Sequence, residues 1–276
     1  MPRAPGHVTR ATAGPTWEHI AVQLGAKGHP ALRNRLVRRA LAFGIDRRAL
    51  LNRLSFGRYT RPLDNGILLA NSRFYQRHWH VYRYRPAEAR RLLERAGCSR
   101  GSDGICSCAG RRLSLRLAAR GFGSRGASEI EGTGIPILQE QLRRVGVEVV
   151  PVFSESGAFF ERVVPGGDFD LALYSRTGGP EPGPAVETWR CGGRSNVTGY
   201  CNPQVSRALL RSHTVVEQKA RMKLLNRVDA LLARDVPFIP LYQQPWFVSH
   251  DPALRAVVNN PWEGFTWSSE DWWLQR

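Results

Sequence analysis

Three consecutive segments decide the fold class of this chain: RRLSLRLAAR (111–120), PILQEQLRRV (136–145) and VEVVPVF (147–153). In the first segment Leu113, Leu115 and Leu117 alternate with mostly polar residues, which predicts a strand with one buried face. The second segment predicts a helix, and the third predicts another strand. A strand, a helix and a strand in this order indicate an α/β domain whose sheet is largely parallel or mixed.

The same alternation continues on both sides of these segments. Residues 31–54 place apolar side chains at helical spacing, with a break at residues 44–46, where Asp46 caps a second short helix. A further helix begins at Pro86 and ends at Gly97. Downstream we expect a helix near 156–163, a strand at 169–174, helices near 203–213 and 216–234, two short strands in FIPLYQQPWFVSH (238–250), and an aromatic coil with Trp262, Trp267, Trp272 and Trp273.

The balance of charge raises nucleic-acid binding as one hypothesis. The 276 residues carry a formal net charge of +17, and a basic patch is the usual footprint of a nucleic-acid-binding protein. Nearly all the basic residues are arginines, however, and they are spread over helix faces such as 33–39 and 90–95 without forming a basic tail. Solvated helix faces explain this distribution better, so a basic nucleic-acid-binding module stays the alternative.

The five cysteines indicate whether the protein works in an oxidising or a reducing compartment. They occupy positions 98, 106, 108, 191 and 201, and Cys106-x-Cys108 is too tight for the usual zinc hook. We expect one disulfide between Cys191 and Cys201, which bracket a short Gly-rich loop, and one between Cys98 and Cys108, with Cys106 left free. Disulfides point to an oxidising compartment.

The sequence as given shows no recognisable membrane span or export signal. No run of about 20 apolar residues could span a membrane, and the first 20 residues lack the apolar core of a signal peptide. The disulfides and the missing signal are compatible if the chain is the C-terminal piece of a longer exported protein.

Familiar catalytic and cofactor motifs are absent or incomplete. The segment GFGSRG (121–126) matches G-x-G-x-x-G, but the next predicted helix begins about nine residues later, so its N-terminus cannot meet a phosphate held by this loop. His78 and His80 lie on one side of a predicted extended segment, but the sequence nearby offers no recognisable third metal ligand. No G-x-S-x-G, H-E-x-x-H or P-loop occurs. The sequence therefore predicts a protein that is not an enzyme and needs neither a cofactor nor a metal.

Several colinear segments resemble the solute-binding proteins of ABC importers, in particular the peptide-binding class known as family 5. The resemblance covers about residues 17–276, and its order and spacing carry more weight than any single motif. The segments are LVRRALAFGIDRRALLNRL, YRPAEARRLLERAGCSRGSDGI, RLSLRLAA, ILQEQLRRVGVEV, GDFDLALY, GYCNPQV, DVPFIPLYQQ and WSSEDWW.

This resemblance implies a fold, a place and a partner. Members of the family have two lobes that close on a ligand, and the present chain resembles the C-terminal lobe, one lobe of a type II periplasmic-binding-protein-like fold with a mixed sheet flanked by helices. We expect residues 1–30 to be a remnant of the inter-lobe segment, 31–240 the ligand-binding lobe, and 241–276 a segment that returns to an absent first lobe. The implied location is extracytoplasmic, and the implied partners are a peptide or similar solute and an ABC permease.

The loop after the strand GDFDLALY is the expected ligand contact. In peptide-binding members a Trp and then an Asp follow this strand, and the Asp pairs with the amino group of the peptide. Here Ser175-Arg176 and Gly178-Gly179 occupy those positions, so the ammonium clamp is missing. We expect ligand contacts from Tyr174, Arg176, Gly178 and Glu181, with Arg176 either receiving an anionic group or pointing into solvent.

Overall fold

The computed structural model describes residues 6–121 and 129–275. The helices are α1 (Arg35–Gly44), α2 (Arg47–Arg53), α3 (Pro86–Arg95), α4 (Ile135–Arg144), α5 (Ser156–Ala158), α6 (Val164–Gly166), α7 (Ala185–Trp189), α8 (Pro203–Thr214) and α9 (Gln218–Asp235). The strands are β1 (Val8–Val22), β2 (Cys98–Arg100), β3 (Cys106–Cys108), β4 (Arg111–Arg112), β5 (Ser114–Arg120), β6 (Glu148–Ser154), β7 (Leu171–Thr177), β8 (Phe238–His250), β9 (Leu254–Arg255) and β10 (Trp273–Leu274).

A five-stranded mixed sheet with the order β6-β5-β7-β1-β8 forms the centre of the molecule. Strand β5 pairs in parallel with both β6 and β7, as expected for strands joined by helical crossovers. Strand β1 runs antiparallel to β7 and to β8. The α/β fold class and the mixed sheet that the sequence predicted are thereby confirmed.

Helices cover the sheet because each has an apolar face to bury. In α1 the side chains of Val37, Leu41 and Phe43 are buried, and this helix packs on α3 and α4. Helix α9 contributes Leu225, Val228 and Leu232 to the core and packs along α8. One large apolar cluster joins these helices to the sheet, which is the main source of stability for a lobe of this size.

Local signals set the helix boundaries where the sequence predicted them. The Asp46 carboxylate accepts hydrogen bonds from the amides of Arg48 and Ala49 and thus caps α2. Pro86 begins α3, and Gly97 follows its end in the left-handed conformation with φ +79°. No helix within the described parts of the chain has the length and apolar composition that a membrane span requires.

Two features differ from the sequence-based expectations, and two expectations stay untested. Residues 238–250 form one continuous strand, because β8 pairs with β1 along most of its length. His78 precedes a single 3₁₀ turn at Trp79–Val81 and does not lie in an extended strand. Most of the motif GFGSRG lies outside the described residues. The division at residues 30 and 240 stays a prediction, although the sheet takes β1 from before residue 31 and β8 runs past residue 240.

Both expected cysteine pairs lie at bonding distance. The Cys98–Cys108 disulfide has a sulfur–sulfur distance of 2.05 Å and Cys191–Cys201 one of 2.17 Å. Cys98 and Cys108 are also cross-strand partners in the β2–β3 hairpin, so the backbone brings them together. The Cys106 thiol is free and buried, and burial raises its pKa.

The C-terminal aromatic segment is incompletely packed. Trp267 is 48% exposed and Trp273 is 56% exposed, and neighbouring Phe265 is 46% exposed. Trp262 and Trp272 are half-buried. None of the four indoles is fully buried within the chain.

Candidate ligand-binding site

A cavity of about 240 Å³ lies where β7 ends. One wall comes from Arg176 to Gly179. The other comes from Glu181, Pro182, Pro184 and Ala185 together with Thr188 and Trp189 of α7. Trp17 of β1 and the pair Gly66 and Ile67 complete the lining. Three of the four ligand contacts predicted from the sequence, Arg176, Gly178 and Glu181, therefore face one cavity.

Two glycines allow the walls to approach this closely. A Cβ atom on Gly178 would lie 2.7 Å from Cδ1 of Leu69, and one on Gly66 would lie 2.1 Å from Cζ of Phe238. Real Cβ atoms do not make contacts this short, so a side chain at either position would force the loop or the neighbouring side chain to shift. The amide of Gly178 also donates to the carbonyl of Pro15, at 2.7 Å, which fixes the loop to β1.

The Arg176 guanidinium is held in place by neutral groups. It donates to the Tyr174 hydroxyl at 3.0 Å, to Oγ1 of Thr188 at 3.3 Å and to Nε2 of His19 at 3.3 Å. It also lies 5.4 Å from the ring centroid of Tyr174 and 5.5 Å from that of Trp189. The alternative in which Arg176 points only into solvent is wrong, because the side chain is half-buried and ordered by these contacts.

The positive charge of Arg176 has no compensating carboxylate among the residues that the structure describes. The acidic residue of the cavity wall, Glu181, pairs with another arginine: its Oε1 accepts from Nη2 of Arg221 on α9 at 2.8 Å. A half-buried guanidinium next to a cavity and without a counter-charge can bind a carboxylate or another oxyanion through parallel N–H donors.

His19 contributes to this arrangement because it stays neutral. Its side chain is fully buried, and the loss of hydration lowers its pKa well below the ordinary value, with the nearby Arg176 charge lowering it further. The neutral imidazole offers the lone pair of Nε2 to Nε of Arg176. Its ring packs edge-on against Tyr174, at a centroid distance of 4.3 Å.

The buried His19 makes the stability of the chain depend on pH. A histidine in the unfolded chain binds a proton as the pH falls below about 6.5, whereas folded His19 resists protonation. The unfolded state then holds more protons, so we expect the free energy of unfolding to fall by up to about 1.4 kcal/mol per pH unit between roughly pH 6.5 and 5. Urea unfolding at several pH values should show this slope in the wild type and a smaller slope in His19→Gln.

The exposed His213 provides the control for this measurement. His213→Gln should leave the wild-type slope unchanged. Equal slopes for His19→Gln and the wild type would contradict the assignment.

One predicted contact does not line the cavity, and three lining residues were not predicted. Tyr174 is buried and does not line the cavity, but it orients Arg176. Trp17, Thr188 and Trp189 line the cavity and were not predicted. Trp17 lies at the cavity because it pairs with Arg176 across the β1–β7 ladder. The sequence analysis did not predict strand β1, so it could not predict this pairing. Trp189 could have been suspected, since it lies in the short segment that follows the Gly- and Pro-rich loop.

Comparison with known proteins identifies the family of this chain. The model of the protein family described as "Bacterial extracellular solute-binding proteins, family 5 Middle" matches residues 3–196. The oligopeptide-binding protein OppA of Mycobacterium tuberculosis is 28% identical over 262 residues, which cover 94% of this chain and 42% of OppA.

Two solved structures have the same fold. AppA from Bacillus subtilis, determined with a nonapeptide, superposes with a TM-score of 0.77 at 18% identity over 99% of this chain and 53% of AppA. NikA from Brucella suis, determined with Fe(III)-EDTA, gives a TM-score of 0.79 at 18% identity over 98% of this chain and 53% of NikA. The chain thus spans about half the length of the proteins it matches. With most of its length matched, the chain belongs to the bacterial extracellular solute-binding proteins of family 5.

Proposed function

We propose that the cavity at the end of β7 binds a peptide or a similar small organic solute through an anionic group of the ligand. The observation that carries this proposal is the uncompensated charge of Arg176, which is fixed by Tyr174, Thr188 and His19 and faces the cavity. The resemblance to oligopeptide-binding OppA supports a peptide-like ligand. The glycines at 178 and 179, where relatives were expected to carry an acidic clamp, favour recognition of a carboxylate over an amino group.

The proposed role is non-enzymatic capture of the solute for delivery to an ABC permease outside the cytoplasm. A cavity of about 240 Å³ is smaller than most complete small-molecule sites, which enclose about 300–1,000 Å³. It therefore forms one wall of the binding site, and residues 241–276 with their exposed indoles are proposed to contact the second lobe. The chain alone is expected to bind weakly. The comparisons lend no support to the nucleic-acid alternative.

Replacement of Arg176 by Ala tests the proposal. A tripeptide with a free carboxylate is titrated into the chain while the side-chain N–H signals of Trp17 and Trp189 are followed by NMR. We expect Arg176→Ala to weaken binding by the chain alone up to about fivefold, because a charge pair that stays open to water contributes up to about 1 kcal/mol. The same peptide with an amidated C-terminus should bind the wild type and Arg176→Ala alike.

A matched variant removes the same charge at a distant site. Arg211 is exposed on α8, and Arg211→Ala should bind the free-acid peptide like the wild type. If Arg176→Ala and the wild type had equal affinities for the free-acid peptide, Arg176 would not be a ligand contact.

A further inference from the structure

A second concave region, which we call the arginine cleft, lies between the start of α2, residues 61–64 and residues 77–84. Its volume is about 420 Å³. It shares no lining residue with the cavity at the end of β7. The segment 61–67 separates the two, because Pro62 and Asp64 line the cleft while Gly66 and Ile67 line the cavity.

The charges in the arginine cleft do not balance. Five arginines and two aspartates line it. Asp64 is fully engaged: Oδ1 accepts from Nη2 of Arg47 at 3.0 Å, and Oδ2 accepts from Nη2 of Arg77 at 2.9 Å. Asp46 is the cap of α2. Five arginines and two aspartates give the lining a net charge of +3, and three of the positive charges pair with neither aspartate.

Those three charges belong to Arg48, Arg61 and Arg83, which come from three separate parts of the chain. All three side chains are exposed. No ion pair connects any of them to a carboxylate in residues 6–121 or 129–275. Like charges that converge on one concave surface repel each other, and an anion bound between them relieves that repulsion.

The walls of the cleft are held by buried contacts and do not depend on a ligand. The Arg47 guanidinium donates to the carbonyls of Leu63 and Pro240, at 2.6 and 3.1 Å, and joins α2 to the segment 61–64 and to β8. Pro62 forms a bridge with Tyr242 of β8. The backbone that carries Arg48 and Arg61 is thus fixed, so an anion would meet guanidinium groups on a rigid frame.

We propose that the arginine cleft is a second binding site, for a multiply charged oxyanion that carries phosphate groups. A planar guanidinium binds phosphate through two parallel N–H donors, and several arginines around one cleft suit an anion with more than one phosphate group. The site is independent of the solute cavity. The phosphate can come from a soluble phosphorylated compound or from the headgroup of an anionic lipid.

Calorimetry with sodium pyrophosphate tests the site, and inorganic phosphate serves as a competitor. The wild-type chain should bind pyrophosphate saturably, with one molecule per chain. The double variant Arg61→Gln/Arg83→Gln should bind at least tenfold more weakly. The control double variant Arg95→Gln/Arg211→Gln removes two exposed positive charges outside the cleft, and its affinity should stay within twofold of the wild type. Thermal unfolding verifies that both double variants are folded.

A second measurement distinguishes the sources of phosphate. Vesicles of phosphatidylglycerol are sedimented with the wild-type chain, with and without pyrophosphate. Vesicle binding that pyrophosphate displaces, and that Arg61→Gln/Arg83→Gln loses, assigns the site to a lipid headgroup. Pyrophosphate binding without vesicle binding assigns it to a soluble compound. Absence of saturable pyrophosphate binding, or equal losses in the two double variants, would overturn the proposal, since only the overall charge would then matter.

Discussion

Replacing Arg47 by Met is expected to lower the free energy of unfolding by about 3–5 kcal/mol, because one partner of a buried ion pair is removed. The side chains of Arg47 and Asp64 are 6% and 5% exposed. Met fills a similar volume but donates no hydrogen bond, so the carbonyls of Leu63, Pro240 and Trp79 would lose a donor in the interior. Urea unfolding of the variant and the wild type measures the difference.

Arg77→Met is the matched control for this prediction. Arg77 pairs with the same Asp64 carboxylate, but its side chain is 66% exposed. Water replaces a lost partner at an exposed site, so the expected cost is under about 1 kcal/mol. If Arg47→Met cost no more than Arg77→Met, the Arg47 contacts would not hold the segment 61–64 to β8.

The helices and strands of the lobe were largely predictable because local chemistry determines them. The alternation of Leu113, Leu115 and Leu117 requires one buried face, and the structure buries all three side chains. Asp46 and Pro86 mark helix starts because a cap and a fixed φ act within one turn. These signals need no knowledge of the rest of the chain.

Strand β1 was not predictable in the same way. Its sequence VTRATAGPTWEHIAV contains Gly14 and Pro15 and shows no clean alternation. The strand is nevertheless an inner member of the sheet, because β7 and β8 satisfy its backbone groups from both sides. Pairing between residues more than 150 positions apart, such as Trp17 with Arg176, is a tertiary effect and leaves no local mark.

The candidate site shows the same division. The Gly- and Pro-rich loop after β7 was recognisable from the sequence as a lining segment. What Arg176 contacts was not, because His19 and Thr188 reach it from β1 and from α7. Gly66 of the cavity wall is likewise held by a distant element, because its amide donates to Asp229 of α9.

The second large effect that we expect concerns this contact. Asp229→Ala should lower the free energy of unfolding by about 3–5 kcal/mol. The Asp229 side chain is fully buried. Its Oδ1 accepts from the amide of Gly66 at 2.8 Å and from Nε1 of Trp79 at 3.1 Å. Its Oδ2 meets Nδ1 of His78 at 2.7 Å. Ala would leave the two N–H donors without an acceptor in the interior. Each unpaired buried donor costs about 1–3 kcal/mol in addition to the lost packing.

Asp229→Asn separates the hydrogen bonds from the charge. The amide oxygen can still accept from Gly66 and Trp79 at the position of Oδ1, while the amide nitrogen replaces only the oxygen that faces His78. Burial already raises the pKa of Asp229, since the charged form is poorly hydrated there. We therefore expect Asp229→Asn to cost about 1 kcal/mol and to keep the indole N–H signal of Trp79 in place.

The consequence for the site can be measured in the same variants. Because Gly66 and Ile67 line the cavity, loss of the Asp229 acceptor should also displace that wall. Asp229→Ala, at a temperature where it is still folded, should shift the indole signals of Trp17 and Trp189, which Asp229→Asn should leave unchanged. Equal destabilisation by Ala and Asn would show that the negative charge, and not the acceptor at Oδ1, holds the wall of the cavity.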